Sequence, residues 1–241
     1  MNPVRLLLAV SIVAGALMAS GCTGFPFKFI RGPVRTVSQD FDITGFDAVD
    51  ASTAFNIALT RADGYAVKVT VDESVADKLI VEKRGNTLAI SLRPGAWSAE
   101  TLQAEITMPA LSKLMLSGAS RAALAGFSGG EEFAASLSGA SVVTGDMSAV
   151  HTQLDIAGAS RVTLRGQGES LEARGSGASV LNLGELVLRN ALVELSGASR
   201  ALVNAAQELD AKADGASTVE YIGDPARVRA HAHGASTIRK H

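Results

Sequence analysis

Seven serines recur at a near-constant interval, Ser120, Ser141, Ser160, Ser179, Ser199, Ser217 and Ser236. A serine hydroxyl becomes a nucleophile only beside a base that takes its proton. No histidine or acid recurs with these serines at a fixed offset, so the expectation for them is structural. The histidines are His151, His231, His233 and His241. His231-Ala232-His233 would set two imidazoles on one side of a strand, with Asp214 one repeat earlier. No cysteine or carboxylate cluster completes that set, and no metal is expected. Trp97 follows Arg93-Pro94-Gly95-Ala96 in a loop, where it can stack on a sugar or pack against its own fold. Gly129-Gly130 and Gly166-Gln167-Gly168 read as loop glycines between strands. Neither precedes a helix, which excludes a phosphate cradle of the usual kind. Asp146, Glu169 and Glu185 fall in inter-strand turns without an obvious partner. No catalytic residue and no cofactor emerges from this search.

One residue does carry chemistry of another sort. Residues 6–19 form an apolar run behind the single charge of Arg5, and the run ends in Met18-Ala19-Ser20-Gly21-Cys22. Such a run is too short to span a bilayer comfortably and suits an export signal. The closing segment resembles a lipobox, in which small residues precede a cysteine that is acylated on sulfur and becomes the first residue after cleavage. The motif prefers leucine where this chain has Ala19. Cys22 is the only cysteine, so no disulfide framework is possible. The expectation is a signal peptide over residues 1–21, a lipid on Cys22 and a tether over residues 22–36. Thr23 rather than aspartate follows the cysteine, which in a Gram-negative host favours the outer membrane.

The rest of the chain must be read as a repeat. Gly-Ala-Ser begins at Gly118, Gly139, Gly158, Gly177, Gly197, Gly215 and Gly234, at intervals of 21, 19, 19, 20, 18 and 19 residues. That period is too short for a helical hairpin and fits one coil of a β-solenoid. The glycines and β-branched residues around each copy also disfavour helix. With 5% aromatic residues against 24 glycines, small side chains suit a thin, repetitive β architecture. Charged residues at 19% and hydrophobic ones at 47% exclude disorder. A net charge of −2 with interspersed signs gives no reason to invoke nucleic acid.

Alignment on the glycines exposes the strand period. Two residues before each glycine stand Leu116, Leu137, Ile156, Gly175, Leu195, Ala213 and Ala232; four after stand Ala122, Val143, Val162, Leu181, Ala201, Val219 and Ile238. This is period two on both sides of the tripeptide, as in strands with one buried face. Three residues before glycine the column reads Met115, Ser136, Asp155, Arg174, Glu194, Lys212, His231. In a parallel stack those alternating charges would each face an opposite one above and below. One residue after the serine it reads Arg121, Val142, Arg161, Val180, Arg200, Thr218, Thr237, with arginine only in alternate coils. Glycine and serine share the parity of the buried positions. An unbroken strand would turn both inward, with serine hydroxyls bonding along the stack; a positive φ at glycine would make a corner and could turn the serines out.

Residues 37–110 are β-rich without a visible repeat. Alternating stretches flank Asp63-Gly64 and Gly85-Asn86, both hairpin signals. This segment is expected to make the first coils or to cap them, with the repeat solenoid over residues 111–241. Arg239, Lys240 and His241 would blunt the last strand edge. Phe41-Asp42-Ile43 with Phe46, then Met108-Pro109-Ala110-Leu111 leading into Leu116-Ser117-Gly118-Ala119-Ser120, resemble the putative auto-transporter adhesin, head GIN domain family over about residues 37–238. The resemblance implies a right-handed parallel β-helix in bacterial cell-envelope proteins, often lipoproteins, and it supplies no catalytic residues.

The fold class expected is thus all-β, a parallel β-helix of about 19-residue coils behind an N-terminal β-rich capping segment. The function expected is non-enzymatic: a membrane-tethered binding or structural module contacting a glycan or an envelope protein. The alternatives are a carbohydrate-active β-helix enzyme, a kinship of fold alone, and a homo-oligomer assembled through the solenoid ends.

Overall fold

The computed structural model describes residues 35–241. The strands are β1 Thr36–Phe41, β2 Ala48–Ala51, β3 Asn56–Arg61, β4 Ala66–Asp72, β5 Leu79–Arg84, β6 Thr87–Leu92, β7 Leu102–Met108 and β8 Lys113–Leu116. They continue with β9 Arg121–Leu137, β10 Val142–Ile156, β11 Arg161–Gly175, β12 Val180–Leu195, β13 Arg200–Ala213, β14 Thr218–Ile222, β15 Arg227–Ala232 and β16 Thr237–Lys240. They stack as a parallel β-solenoid of about seven turns with coils of about 19 residues.

Each long strand from β10 to β13 runs across the coil and pairs in parallel with its predecessor along both its halves, while β9 pairs with β3 along its first half and with β8 along its second. The first halves build one face, ordered β1-β4-β7-β3-β9-β10-β11-β12-β13-β14-β16. The second halves build another, running from β5, β6, β2 and β8 into β9 and ending on β15. Alternate side chains turn inward, and the buried columns found by aligning the glycines form one continuous core. Bulk is greatest toward the N-terminal end, where Phe46, Phe55 and Phe133 are buried, and falls toward Ala201, Ala211 and Ala213.

The segment before the repeat both supplies coils and caps them. β2 and β3 form a coil that receives β8 and β9 on one side and β6 and β7 on the other, all in parallel. Outside these, β4 with β1 beyond it closes one face and β5 the other, all three as antiparallel strands, and Val75 of the 3₁₀ turn Glu73–Lys78 plugs the core. Gly85-Asn86 joins β5 to β6 as the expected hairpin. Asp63-Gly64 does not make one, because β7 lies between β3 and β4 and pairs with both. The loop expected at Gly129-Gly130 and Gly166-Gln167-Gly168 is also replaced by strand, inside β9 and β11. There the strand bends close to the preceding coil; a Cβ on Gly168 would stand 2.5 Å from the Ala149 carbonyl oxygen.

Candidate binding faces

The Gly-Ala-Ser corners set the outline of the coil. All seven glycines take φ between +64° and +79°, a region open to glycine at little cost. The residue two before each glycine up to Leu195 and Ala213 is buried, the glycine itself turns out to solvent, and the serine turns back in. Ser120, Ser141, Ser160, Ser179, Ser199 and Ser217 are wholly buried, while Ser236 on the last coil is half-buried. The structure therefore combines the two arrangements open at sequence level, a glycine corner with inward serines. The hydroxyls chiefly satisfy their own turns. Ser120, Ser141 and Ser199 donate to the carbonyl three residues back, in Ser117, Ser138 and Ser196, at 2.8, 2.9 and 2.8 Å. Contacts between coils are fewer, as where the Ser141 amide donates to the Ser160 hydroxyl at 3.2 Å. A hydroxyl sealed in the core and bonded to its own turn meets no substrate.

On the face built by the second half-strands, the alternating column closes into ion pairs. Arg174 reaches Asp155 at 3.9 Å and Glu194 at 3.4 Å, and Lys212 reaches Glu194 from the other side at 2.8 Å. The hydrogen bond from Lys212 holds the Glu194 carboxyl below its usual range, opposed by partial desolvation and aided by Arg174. A carboxylate held low in the folded state contributes stability above its unfolded pKa and loses it as pH falls through the lower folded value. Lys212→Ala is accordingly expected to raise the Glu194 titration midpoint toward the ordinary carboxylate value. NMR observation of its side-chain carboxyl across the acid range would check this, and an unmoved midpoint would remove Lys212 as the cause.

The other face differs. Arg121, Val142, Arg161, Val180 and Arg200 are in register on successive coils. The three arginines are exposed and pair with no acid among the described residues. Every other arginine from residue 121 onward has such a partner: Arg165 with Asp146, Arg174 as above, Arg189 with Glu169, Arg227 and Arg229 with Glu208, and Arg239 with Glu220. Asp146 and Glu169, without evident partners in the sequence, thus find theirs one coil on. A depression of about 700 Å³ lies between Arg161 and Arg200, lined by Thr163, Asn182 and Thr218.

The remaining candidates are dispersed. His231 and His233 are exposed on the last coil, and His151 bonds Ser170 at 2.7 Å. Among the described residues no group of three or more His, Cys, Asp or Glu side chains is placed to hold a metal ion. Trp97 packs against the core. Asp72, which the sequence did not single out, is buried and accepts the Glu100 and Thr101 amides at 2.7 and 3.1 Å, anchoring the Trp97 loop. Cys22 lies outside the described residues. Among those described, no helix is long and apolar enough to cross a membrane.

Comparison with known proteins places this geometry. The profile of the family described as "Putative auto-transporter adhesin, head GIN domain" matches residues 45–225. A comparison with curated proteins found no match. Among solved structures, a putative adhesin from Bacteroides fragilis superposes with a TM-score of 0.76 at 18% identity, covering 86% of this chain and 97% of that one. A putative lipid binding protein from Parabacteroides distasonis gives 0.67 at 17% identity, over 86% and 96% of the two chains. A putative adhesin from Parabacteroides merdae gives 0.64 at 12%, over 86% and 96%. At these identities the shared property is the fold.

Proposed function

We propose, from the premise that this chain belongs to the putative auto-transporter adhesin, head GIN domain family, that it is a non-enzymatic binding module tethered to the bacterial cell envelope by a lipid on Cys22. The observation that carries this reading is the continuity of the outward faces. Strands of 14 to 17 residues, β9 to β13, follow one another through Gly-Ala-Ser corners. No long loop intervenes from β9 to β13 to wall a cleft, which a glycan-cleaving β-helix needs to surround its substrate with acids. Broad, rigid, ribbed faces instead suit extended contact with a polymer or a partner surface. The lipid is proposed from the sequence around Cys22, and an outer-membrane position from Thr23.

The test is protease treatment of intact cells expressing a tagged chain, with lysed cells as the control and Cys22→Ala in parallel. Digestion in intact cells is expected if the solenoid is an adhesin; protection until lysis would restrict it to periplasmic partners and sink the adhesin reading. Cys22→Ala is expected to move the protein from the membrane fraction to the soluble fraction or leave it as unprocessed precursor. Unchanged mass and membrane partition in that variant would dismiss the lipid anchor.

A further inference from the structure

We propose that Arg121, Arg161 and Arg200 form a docking strip for a linear acidic polysaccharide that carries one carboxylate on every second sugar. This deepens the reading of the solenoid as a binding module and rests on it.

The first ground is selective lack of neutralisation. A chain that gives an acid to every other arginine from residue 121 onward leaves three bare, and all three stand in one column. The neighbouring outward column beside them reads Ala123, Thr144, Thr163 and Asn182, without charge. Its acid, Glu220, stands at the edge of the depression beside Arg200 and is already held by Arg239. Guanidinium groups without protein partners keep their donor forks free for a bidentate carboxylate.

The second ground is spacing. The arginines lie two coils apart, so successive guanidinium stems are separated by about 9.6 Å, twice the distance between paired strands. A pyranose ring in an extended chain advances by close to one strand spacing. A polymer with a charge on alternate sugars therefore meets an arginine at each charged sugar. Its neutral sugar falls over Val142 or Val180, which are half-buried and level with the strand. Thr163, Asn182 and Thr218 line the depression between Arg161 and Arg200, where they supply hydroxyl and amide groups to a sugar's own hydroxyls. A nucleic acid spaces its phosphates more closely than these arginines and leaves most of them unmatched. A neutral glycan has no use for the charge.

The experiment uses the full chain in mild detergent, with hyaluronan oligomers, in which a uronic acid alternates with a neutral sugar, and dextran as the uncharged probe. The wild-type chain is expected to bind hyaluronan and not dextran, more weakly as salt is raised. The triple variant Arg121→Ala/Arg161→Ala/Arg200→Ala is expected to bind about tenfold or more weakly, because three charge-assisted contacts to carboxylates are lost. Its thermal midpoint is expected to stay at the wild-type value, since these side chains hold no ion pair within the fold. Val180→Glu, which inserts the missing acid between Arg161 and Arg200, is expected to weaken binding with all three arginines present. Arg189→Ala, which removes a cation already paired to Glu169, is expected to bind as wild type. Wild-type affinity in the triple variant, equal binding to dextran, or no binding to hyaluronan would each overturn the strip. If the wild-type and triple-variant chains adhere alike to intact envelope surfaces, the strip fails while the binding reading stands. If neither adheres to any surface offered, that reading fails too.

Discussion

Gly177→Ala is expected to destabilise the solenoid by about 3–5 kcal/mol, against about 1 kcal/mol for Gly85→Ala. Both glycines have positive φ, +77° and +63°, so both substitutions carry the conformational cost of an alanine in the left-handed region. They differ in what the new methyl meets. At Gly85 nothing lies within 4 Å, whereas at Gly177 the Cβ would stand 2.7 Å from the Gly158 carbonyl oxygen and 3.3 Å from its Cα. Those atoms cannot swing aside as a side-chain tip could. They belong to the corner of the preceding coil, whose oxygen accepts the Ala178 amide at 2.8 Å. Relief requires the two coils to part, which strains the parallel pairing of β11 with β12. The difference between the two variants in denaturant midpoint isolates this stacking contribution, because each shares the other's φ penalty. Equal losses would mean that the corners do not pack through their backbones.

The same corners show where sequence reading stops. The glycine interval and the period-two columns are local statements about one chain direction, and they carry over: the column of Asp155, Arg174, Glu194 and Lys212 becomes a run of ion pairs. The direction of the serines was open because parity counts residues along an extended strand, and a positive φ at glycine rotates the chain without changing the count. The first coil was hidden for a related reason. Its corner is Thr53-Ala54, both at positive φ without a glycine, and the Gly118 corner packs upon it, a Cβ there lying 3.1 Å from the Thr53 amide nitrogen. Nothing in residue type marks such a corner. Strand order was hidden too, since β7, which follows β5 and β6 in the chain, enters between β3 and β4, and turn chemistry at Asp63-Gly64 speaks only for adjacent strands. The alternating arginines were visible as a column. Their lack of acids follows only from register, which fixes which residues stand above, below and beside each one.

Core geometry gives the second large effect. Leu154→Ala is expected to cost about 4–5 kcal/mol, near the top of the range for buried leucine truncations. Leu154 is fully buried, and its register partners in the coils on either side are Ala135 and Ala173. The leucine therefore fills space that its neighbours leave, and truncation sets three alanines in a row. The void has little means of closing. The backbones around it are held at the strand spacing by hydrogen bonds on both sides, and methyl groups have no rotamers with which to reach inward. Moving the bulk by one coil tests the explanation. In the double variant Leu154→Ala/Ala173→Leu the total volume returns, and part of the lost stability is expected to return with it, read as a positive coupling in a double-mutant cycle. Ala173→Leu alone is expected to destabilise by about 1–3 kcal/mol through overpacking. Additive losses in the double variant would show that the column is packed position by position, with the alanine and leucine of neighbouring coils not sharing one cavity.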